Sequence, residues 1–461
     1  MTHMKYHFIG IGGIGMSGLA RLLLQRNIEV SGSDLAASST LENLKTAGAI
    51  VSVGHDATNV SSKCKVVYTT GLSEKNPELL AAKKMGCPLL HRSDLLAELT
   101  CGYQTIAVAG MHGKTTTSAL MVSVLREAGA DPSFAIGGIL GELKVNAKQG
   151  TGPHFVIEAC ESDGTFLKYR PAATIITNID LEHMDYFKTE EAILQAFGDF
   201  FERVSDAEHL FWCGDDKRLR KIASKGVSYG FSSDCEWQIS NLKSIGWQIV
   251  FDLRHKDKCY KNIVLTSLGK HNALNGAAVF GLAFSLGIPE EAIRQAFASF
   301  RGIARRCEVK GQYGNILCLD DYAHHPVEIK TTLQGVREAI GQRRLIVVYQ
   351  PHRYTRARDC LGMYPEIFDA ADEVIITNIY AAGENPIAGV DDETVFEDIR
   401  CSSRSAVSFI HHSKLIESLT TLLQPNDILL TLGAGNITFL GPELVRHLEN
   451  AGDALPAARG S

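Results

Sequence analysis

The sequence predicts an α/β protein of three domains built on parallel sheets, and three observations predict it. A chain of 461 residues has room for about three domains at roughly 150 residues each. It opens with a short apolar strand, a glycine turn and a helix, and a second strand–glycine loop–helix unit begins at Thr105. Strands and helices then alternate to the end, the pattern of sheets covered on both faces. The first and third domains are expected to be Rossmann-like and the central one to carry a P-loop, with boundaries at 1–100, 101–307 and 308–461.

In order along the chain, Tyr6–Ile9 reads as a buried strand, followed by a glycine turn and a helix to about Arg26. A second strand, Ile28–Val30, ends in Ser31-Gly32-Ser33-Asp34. Val66–Thr70, a helix near Pro77–Met85 and Pro88–Leu90 complete the first unit near Thr100. The second unit starts with the strand Thr105–Ala109 and a helix from Lys114. Phe155–Ile157 and Thr174–Thr177 are buried-strand candidates, Trp237–Leu265 is a β-rich insertion, and His271–Leu286 is a helix with a small-residue face. The third unit carries strands at Ile316–Leu319, Leu345–Tyr349, Val374–Ile376, Ser408–Phe409 and Ile428–Leu430. The terminal stretch 451–461 reads as a frayed tail.

Composition excludes several classes. Hydrophobic residues are 45% and charged residues 21% of the chain, ordinary values that argue against disorder or a fibrous protein. The formal charge of −6 gives no general attraction to nucleic acid or to an anionic membrane. No apolar run approaches the ~18 residues of a membrane span. Lys5 followed by HFIGIGGIGMSGLA has some of the look of a signal peptide, but glycines break the run and no cleavage site follows. The 11 cysteines are dispersed without CxxC spacing, which fits reduced thiols in a cytoplasmic protein and argues against zinc.

Five motifs carry chemistry. Gly10-Ile11-Gly12-Gly13-Ile14-Gly15 lies between a strand and a helix, where backbone amides and the helix start can hold a pyrophosphate. Asp34, at the end of the next strand, is placed to meet a ribose hydroxyl. These residues do not say whether the diphosphate belongs to NAD, FAD or a UDP-sugar. Gly110-Met111-His112-Gly113-Lys114-Thr115-Thr116 has the Gly-Lys-Thr core of a P-loop, with Val108 at the usual first glycine. Lys114 would reach the β- and γ-phosphates and Thr115 a magnesium ion. Glu158 ends a strand and His183 follows another, positions suited to metal ligands. Asp320-Asp321-Tyr322-Ala323-His324-His325-Pro326 and Gln350-Pro351-His352-Arg353-Tyr354-Thr355-Arg356 both follow third-unit strands, and their arginines suit a carboxylate. His271, Asn272 and Asn275 form a polar stripe on an apolar helix, fitting either helix packing or contact with a nucleotide base. His411-His412 reads as surface.

Two nucleotide-type sites in one chain need a single explanation. The ordered set HFIGIGGIGMSGLA, SGSD, GMHGKTTT, NIDLEHMD, GKHNALN, Arg305-Arg306, DDYAHHP, QPHRYTR and GAGN at Gly433–Asn436 resembles the Mur ligases, ATP-dependent enzymes that build the peptide stem of peptidoglycan. The resemblance covers essentially the whole chain and favours the branch that joins L-alanine to UDP-N-acetylmuramate. It implies that Gly12, Gly13, Ile14, Gly15 and Asp34 hold the UDP-sugar. Gly110 to Thr116, His271, Asn272, Asn275, Arg306 and Asp321 would bind ATP, and Thr115, Glu158 and His183 would bind Mg²⁺. Tyr322, His324, Arg353 and Arg356 resemble the amino-acid end of the site. Lys114, Glu158, His183 and His324 are the implied catalytic set. Cys160 stands where an Asp is usual, Cys307 where an aromatic is usual and Met111 where Thr is common. The stretch Ala192–Val204 lacks the lysine that several relatives carbamylate.

The implied chemistry is an acyl phosphate made from the lactyl carboxylate and ATP, then attacked by the amine of L-alanine. A nicotinamide-dependent dehydrogenase, a ligase for another amino acid or a recycled peptide, and a nucleotide sensor without turnover are the competing classes. The paired metal ligands argue against the last of these.

Overall fold

The computed structural model describes residues 5–451, so the expected tail lies outside the described residues apart from Ala451. Three sheets organise the chain. The first is parallel throughout, in the spatial order Ile50–Val53, Val30–Asp34, Lys5–Ile9, Cys64–Tyr68, Leu89–His91. The chain order reverses beside Lys5–Ile9, the first strand, which puts the glycine turn at a topological switch point. The second strand runs Val30–Asp34, ending at Asp34 as the sequence suggested but starting two residues later than Ile28. Gly32 permits this, because a Cβ there would stand 2.6 Å from the Phe8 carbonyl.

The second sheet has ten strands. Gln104–Ala109 lies between Ala173–Ile176 and His154–Glu158, parallel to both. His154–Glu158 is flanked in turn by Ser133–Leu140, which forms an antiparallel pair with Val145–Lys148. On the other side Leu210–Cys213 and Val227–Gly230 continue the parallel order, and the β-rich insertion appears as Trp237–Ile245, Gln248–His255 and Lys258–Leu265. Strands Gln104–Ala109 and Ala173–Ile176 are buried almost throughout, as a sheet covered on both faces requires. The third sheet runs Glu308–Tyr313, Ile316–Asp321, Ile428–Leu432, Leu345–Tyr349, Glu373–Ile376, Ala406–Phe409. Only the pairing of Glu308–Tyr313 with Ile316–Asp321 is antiparallel.

The chain packs as two compact units. Of the described residues, one comprises those up to Leu242 with Val250–Thr266 and Asn272–Arg301, and so holds the first sheet and most of the second. The other comprises Lys243–Ile249, Ser267–His271 and the described residues from Gly302 on, and holds the third sheet. In the first unit, the helix Ile14–Gln25 seats on the strand pair of the second sheet. A Cβ on Gly18 would lie 3.0 Å from Asn146 Nδ2 and 3.2 Å from the Ala147 Cβ, so glycine permits the close approach. In the second unit two apolar layers sandwich the third sheet, one including Leu333, Val347 and Leu430 and the other Val348, Leu419 and Leu444. No described helix is long and apolar enough to cross a membrane, and all 11 cysteines are free.

Candidate active site

The glycine turn of the first sheet is built by backbone constraint. Gly10 has φ +81°, a conformation that favours glycine. Gly10 and Ile11 both donate to the Ser33 carbonyl, at 2.8 and 2.9 Å. Gly12 N–H donates to Asp34 Oδ2 at 2.8 Å, and the other carboxylate oxygen accepts from Leu35 N–H at 2.8 Å. Asp34 therefore shapes the turn itself. The helix Ile14–Gln25 starts at Gly13 with no side-chain cap and no acidic residue in its first turn. Its first amides and dipole are left for an anion. Gly13 and Ile14 are exposed there.

The P-loop shows the same logic. Gly110 and Gly113 have φ +124° and +81°. A Cβ on Gly110 would stand 2.1 Å from Thr177 Oγ1, and one on Gly113 would stand 2.9 Å from Asn275 Oδ1. Thr177 and Asn178, just past the neighbouring strand, clamp the loop. Asn178 carbonyl accepts from Met111 N–H at 3.2 Å and its side chain exchanges bonds with His112 N–H and carbonyl at 2.9 and 3.0 Å. Thr177 Oγ1 donates to the His112 carbonyl at 2.6 Å. The helix Lys114–Glu127 again lacks a side-chain cap and a first-turn acid.

Lys114 turns back over this loop. Its Nζ donates to the Gly110 and Met111 carbonyls at 2.5 and 3.0 Å and pairs with Glu161 at 2.9 Å. Glu161 is only 1% exposed. Burial opposes the charge on both groups, but their mutual attraction wins: the Lys114 pKa is raised, and the Glu161 pKa is lowered with help from His183. The ion pair is thus the stable state of this pocket. His183 Nε2 lies 3.6 Å from Glu161 Oε1, and His183 itself has φ +57° at the start of a short turn. His112 Nε2 meets Asp180 at 3.2 Å and Glu182 at 3.6 Å.

Glu158 stands opposite Val108 in the strand register, level with the entry to the P-loop. Gly137 N–H donates to Glu158 Oε1, and a Cβ on Gly137 would fall 2.7 Å from Oε2. The first unit therefore brings together Lys114, Glu158, His183 and Asn275, all named from sequence. It adds Glu161 and Gly137, which sequence reasoning did not single out. Glu161 was visible in the acidic run, but only the loop's path shows that it, rather than Glu158, takes the lysine. Asn275 is buried and bonds Asn272 at 3.0 Å, and it packs on the P-loop glycine.

The second unit gathers the third-sheet motifs at the carboxyl ends of its strands. Asp321 is buried, and its oxygens accept from Cys307 and Ala323 N–H, each at 2.8 Å. Burial raises its pKa, with Arg306 opposing. Arg305 donates to Asp320 at 3.1 Å and to the carbonyls of Gly433 and Ala434. Arg305 and Arg306 both lie over the Tyr322 ring, at 5.0 and 5.6 Å from its centre. Burial lowers the His271 pKa to about 4, with Arg306 adding to the effect.

His324 Nδ1–H donates to the Tyr322 carbonyl at 2.9 Å, which leaves Nε2 as the acceptor of a neutral ring. Burial holds its pKa near 4 against the pull of Glu328, and Arg356 and Arg306 help. His352, absent from the sequence-derived set, stacks on Tyr380 at 5.7 Å and accepts from Arg356 at 3.1 Å. Its pKa is likewise lowered to about 4, by burial first and then Arg356. Arg353 is exposed, with φ +66°. Of the paired histidines, His411 is exposed as expected, whereas His412 is half-buried and its N–H bonds Asn378 at 2.9 Å.

A P-loop on a parallel sheet, a second glycine turn on a Rossmann-like sheet and a third sheet bearing arginines and neutral histidines define a nucleotide-dependent enzyme of multi-domain α/β type. Three family descriptions match in order: Mur ligase family, catalytic domain, over residues 5–104; Mur ligase middle domain over 108–283; and Mur ligase, glutamate ligase domain, over 305–435. The chain belongs to the Mur ligase family. It is 50% identical over 446 residues to UDP-N-acetylmuramate–L-alanine ligase of Protochlamydia amoebophila, covering 96% of this chain and 98% of that one. It is 43% identical to the bifunctional enzyme MurC/Ddl of Chlamydia pneumoniae, covering 95% of this chain and 54% of that enzyme. The crystal structure of UDP-N-acetylmuramate–alanine ligase from Thermotoga maritima superposes with a TM-score of 0.84 at 26% identity, covering 97% of this chain and all of that one.

Proposed function

We propose that this protein is an ATP-dependent ligase that joins the lactyl carboxylate of UDP-N-acetylmuramate to L-alanine in the cytoplasm, a step of peptidoglycan precursor synthesis. The buried Lys114–Glu161 pair at the P-loop carries the reading, because a charge held inside the loop suits a triphosphate. Full-length similarity to ligases of that name supports it. On this reading 1–100 binds the UDP-sugar, 101–307 binds ATP and 308–461 receives the amino acid.

A carboxylate is a poor acyl donor, so it first takes the γ-phosphoryl group of ATP. That step is positioning plus charge stabilisation. Lys114 exchanges the Gly110 and Met111 carbonyls for phosphate oxygens, while Glu161 keeps it protonated. Asn275, which packs on the P-loop, and its partner Asn272 lie beside the adenine. Among the described residues no cluster of three or more His, Cys, Asp or Glu forms a ready-made metal cage. Mg²⁺ takes one or two protein oxygens and completes its shell with water and phosphate. Thr115 and Glu158 supply hard oxygens and His183 a nitrogen. When bound, Mg²⁺ neutralises charge on the triphosphate.

In the third domain Tyr322, Arg353 and Arg356 receive the amino acid, the arginines holding the alanine carboxylate. His324, held neutral by burial, either handles the proton that the alanine ammonium must lose or positions its nitrogen for attack on the acyl phosphate. Collapse gives the amide and phosphate. The test is phosphate release from ATP: it requires UDP-N-acetylmuramate and L-alanine together, and release without either would overturn the reading.

A further inference from the structure

One guanidinium in the first unit has no role in the scheme above. Arg92 opens the helix Arg92–Thr100 directly after the strand Leu89–His91. Its Nη1 stands 3.4 Å from where a Cβ on Gly15 would be, against the first turn of the glycine-loop helix. Cys160, two residues past Glu158 and next to Glu161, and Asp163 both favour its charge, against the cost of burial. The nearby carboxylates are engaged elsewhere. Asp163 accepts from Thr70 at 2.6 Å and lies 3.7 Å from His91, and Asp94 pairs with Lys168 at 2.5 Å. Among the described residues no carboxylate ion-pairs with Arg92. A half-buried guanidinium has five N–H groups to satisfy, and among the described residues none of them is committed to a paired carboxylate.

Both walls around Arg92 are fixed. The Ile14 carbonyl accepts from Asn146 Nδ2, so the glycine-loop helix is tied to the strand pair whose Gly137 holds Glu158. The loop after Glu158 is tied back to the first sheet through Thr70–Asp163 and Lys168–Asp94. The cation therefore sits at a set position between the glycine turn and the acidic loop beside the P-loop, where a planar fork suits a two-oxygen anion.

We propose that Arg92 is a substrate-binding residue whose guanidinium takes an oxyanion of the UDP-sugar acid, its diphosphate or its lactyl carboxylate, between the glycine turn and the Glu158–Asp163 loop. The proposal rests on the substrate reading above and adds the group that spans the two phosphate-binding loops.

The test is calorimetric titration of the full chain, wild type against Arg92→Gln and Arg92→Lys, with UDP-N-acetylmuramate, UDP-N-acetylglucosamine and ATP. Arg92→Gln should weaken UDP-N-acetylmuramate binding by roughly 10- to 100-fold, in line with losing a charge-assisted pair, and leave ATP affinity within about twofold. Arg92→Lys should recover part of the loss. A loss shared by UDP-N-acetylglucosamine assigns the diphosphate; a loss confined to the acid assigns the carboxylate. UDP-N-acetylmuramate affinity within twofold of wild type in Arg92→Gln overturns the proposal, as does an equal loss for ATP. If Arg92→Gln does not fold, Arg92→Lys decides: a loss of threefold or more supports the assignment and none overturns it. A wild-type protein that binds neither UDP-sugar overturns the substrate reading itself, a result distinct from an unaffected variant.

Discussion

Glu161→Gln separates two jobs of one ion pair. The substitution keeps the shape of the side chain and removes the charge 2.9 Å from Lys114 Nζ. Glu161 is 1% exposed, so water cannot replace it. Breaking a buried pair by removing one partner costs about 3–5 kcal/mol of stability. The variant should therefore lose stability of that order in urea, read by the unfolding midpoint at constant slope. Lys114→Met should lose a similar amount, and it should also lose about 10²–10³-fold in kcat, the cost of deleting one electrostatic contact to a developing charge. The double variant Lys114→Met/Glu161→Gln leaves no uncompensated charge. It should regain most of the stability yet stay as inactive as Lys114→Met. The assays are urea unfolding and coupled phosphate release with saturating substrates. A Glu161→Gln protein with unchanged midpoint and rate, or a double variant that recovers activity, would refute the reasoning.

Three further outcomes are expected. Glu158→Gln should raise the Mg²⁺ concentration needed for half-maximal phosphate release by about tenfold or more; an unchanged metal titration removes Glu158 from the site. Gly113→Ala forces a side chain into φ +81° and against Asn275, so the ATP KM should rise on the order of 10- to 100-fold, and a wild-type KM contradicts the packing. His271, His324 and His352 have folded pKa values lowered to about 4, against about 6.5 unfolded. Between those values the unfolded chain binds more protons, so their stabilisation is full above pH 6.5 and falls as the pH drops toward 4. The slope is up to about 1.4 kcal/mol per pH unit for each histidine. Urea midpoints at pH 7.5, 6 and 5 check this, and a flat profile contradicts it.

The sites legible in the sequence were those where one backbone feature forces a residue type. Gly10, Gly110 and Gly113 have positive φ, and each stands between a buried strand and an uncapped helix, so local pattern alone located both phosphate-type loops. The strands Thr105–Ala109 and Leu345–Tyr349 were readable because burial on both faces makes an unbroken apolar run. Two edge strands were not. Ile50–Val53 and Glu308–Tyr313 carry exposed and polar positions, which periodicity does not distinguish from loops. The role of Glu161 was also hidden, because its partner lies 47 residues away and the loop conformation decides which of two acids faces the lysine. His352 likewise gains meaning only from stacking on Tyr380, a residue from the next strand's end. Asp34 was found for its position, but its bond to Gly12 N–H follows from the curl of the turn.

The most direct test incubates the protein with ATP, Mg²⁺ and UDP-N-acetylmuramate and supplies each amino acid in turn, with mass spectrometry of the products. The expected products are ADP, phosphate and a UDP-sugar heavier by one alanine residue, formed with L-alanine in preference to the others. An unaltered UDP-sugar in every incubation, or a nicotinamide absorbance change independent of ATP, would contradict it.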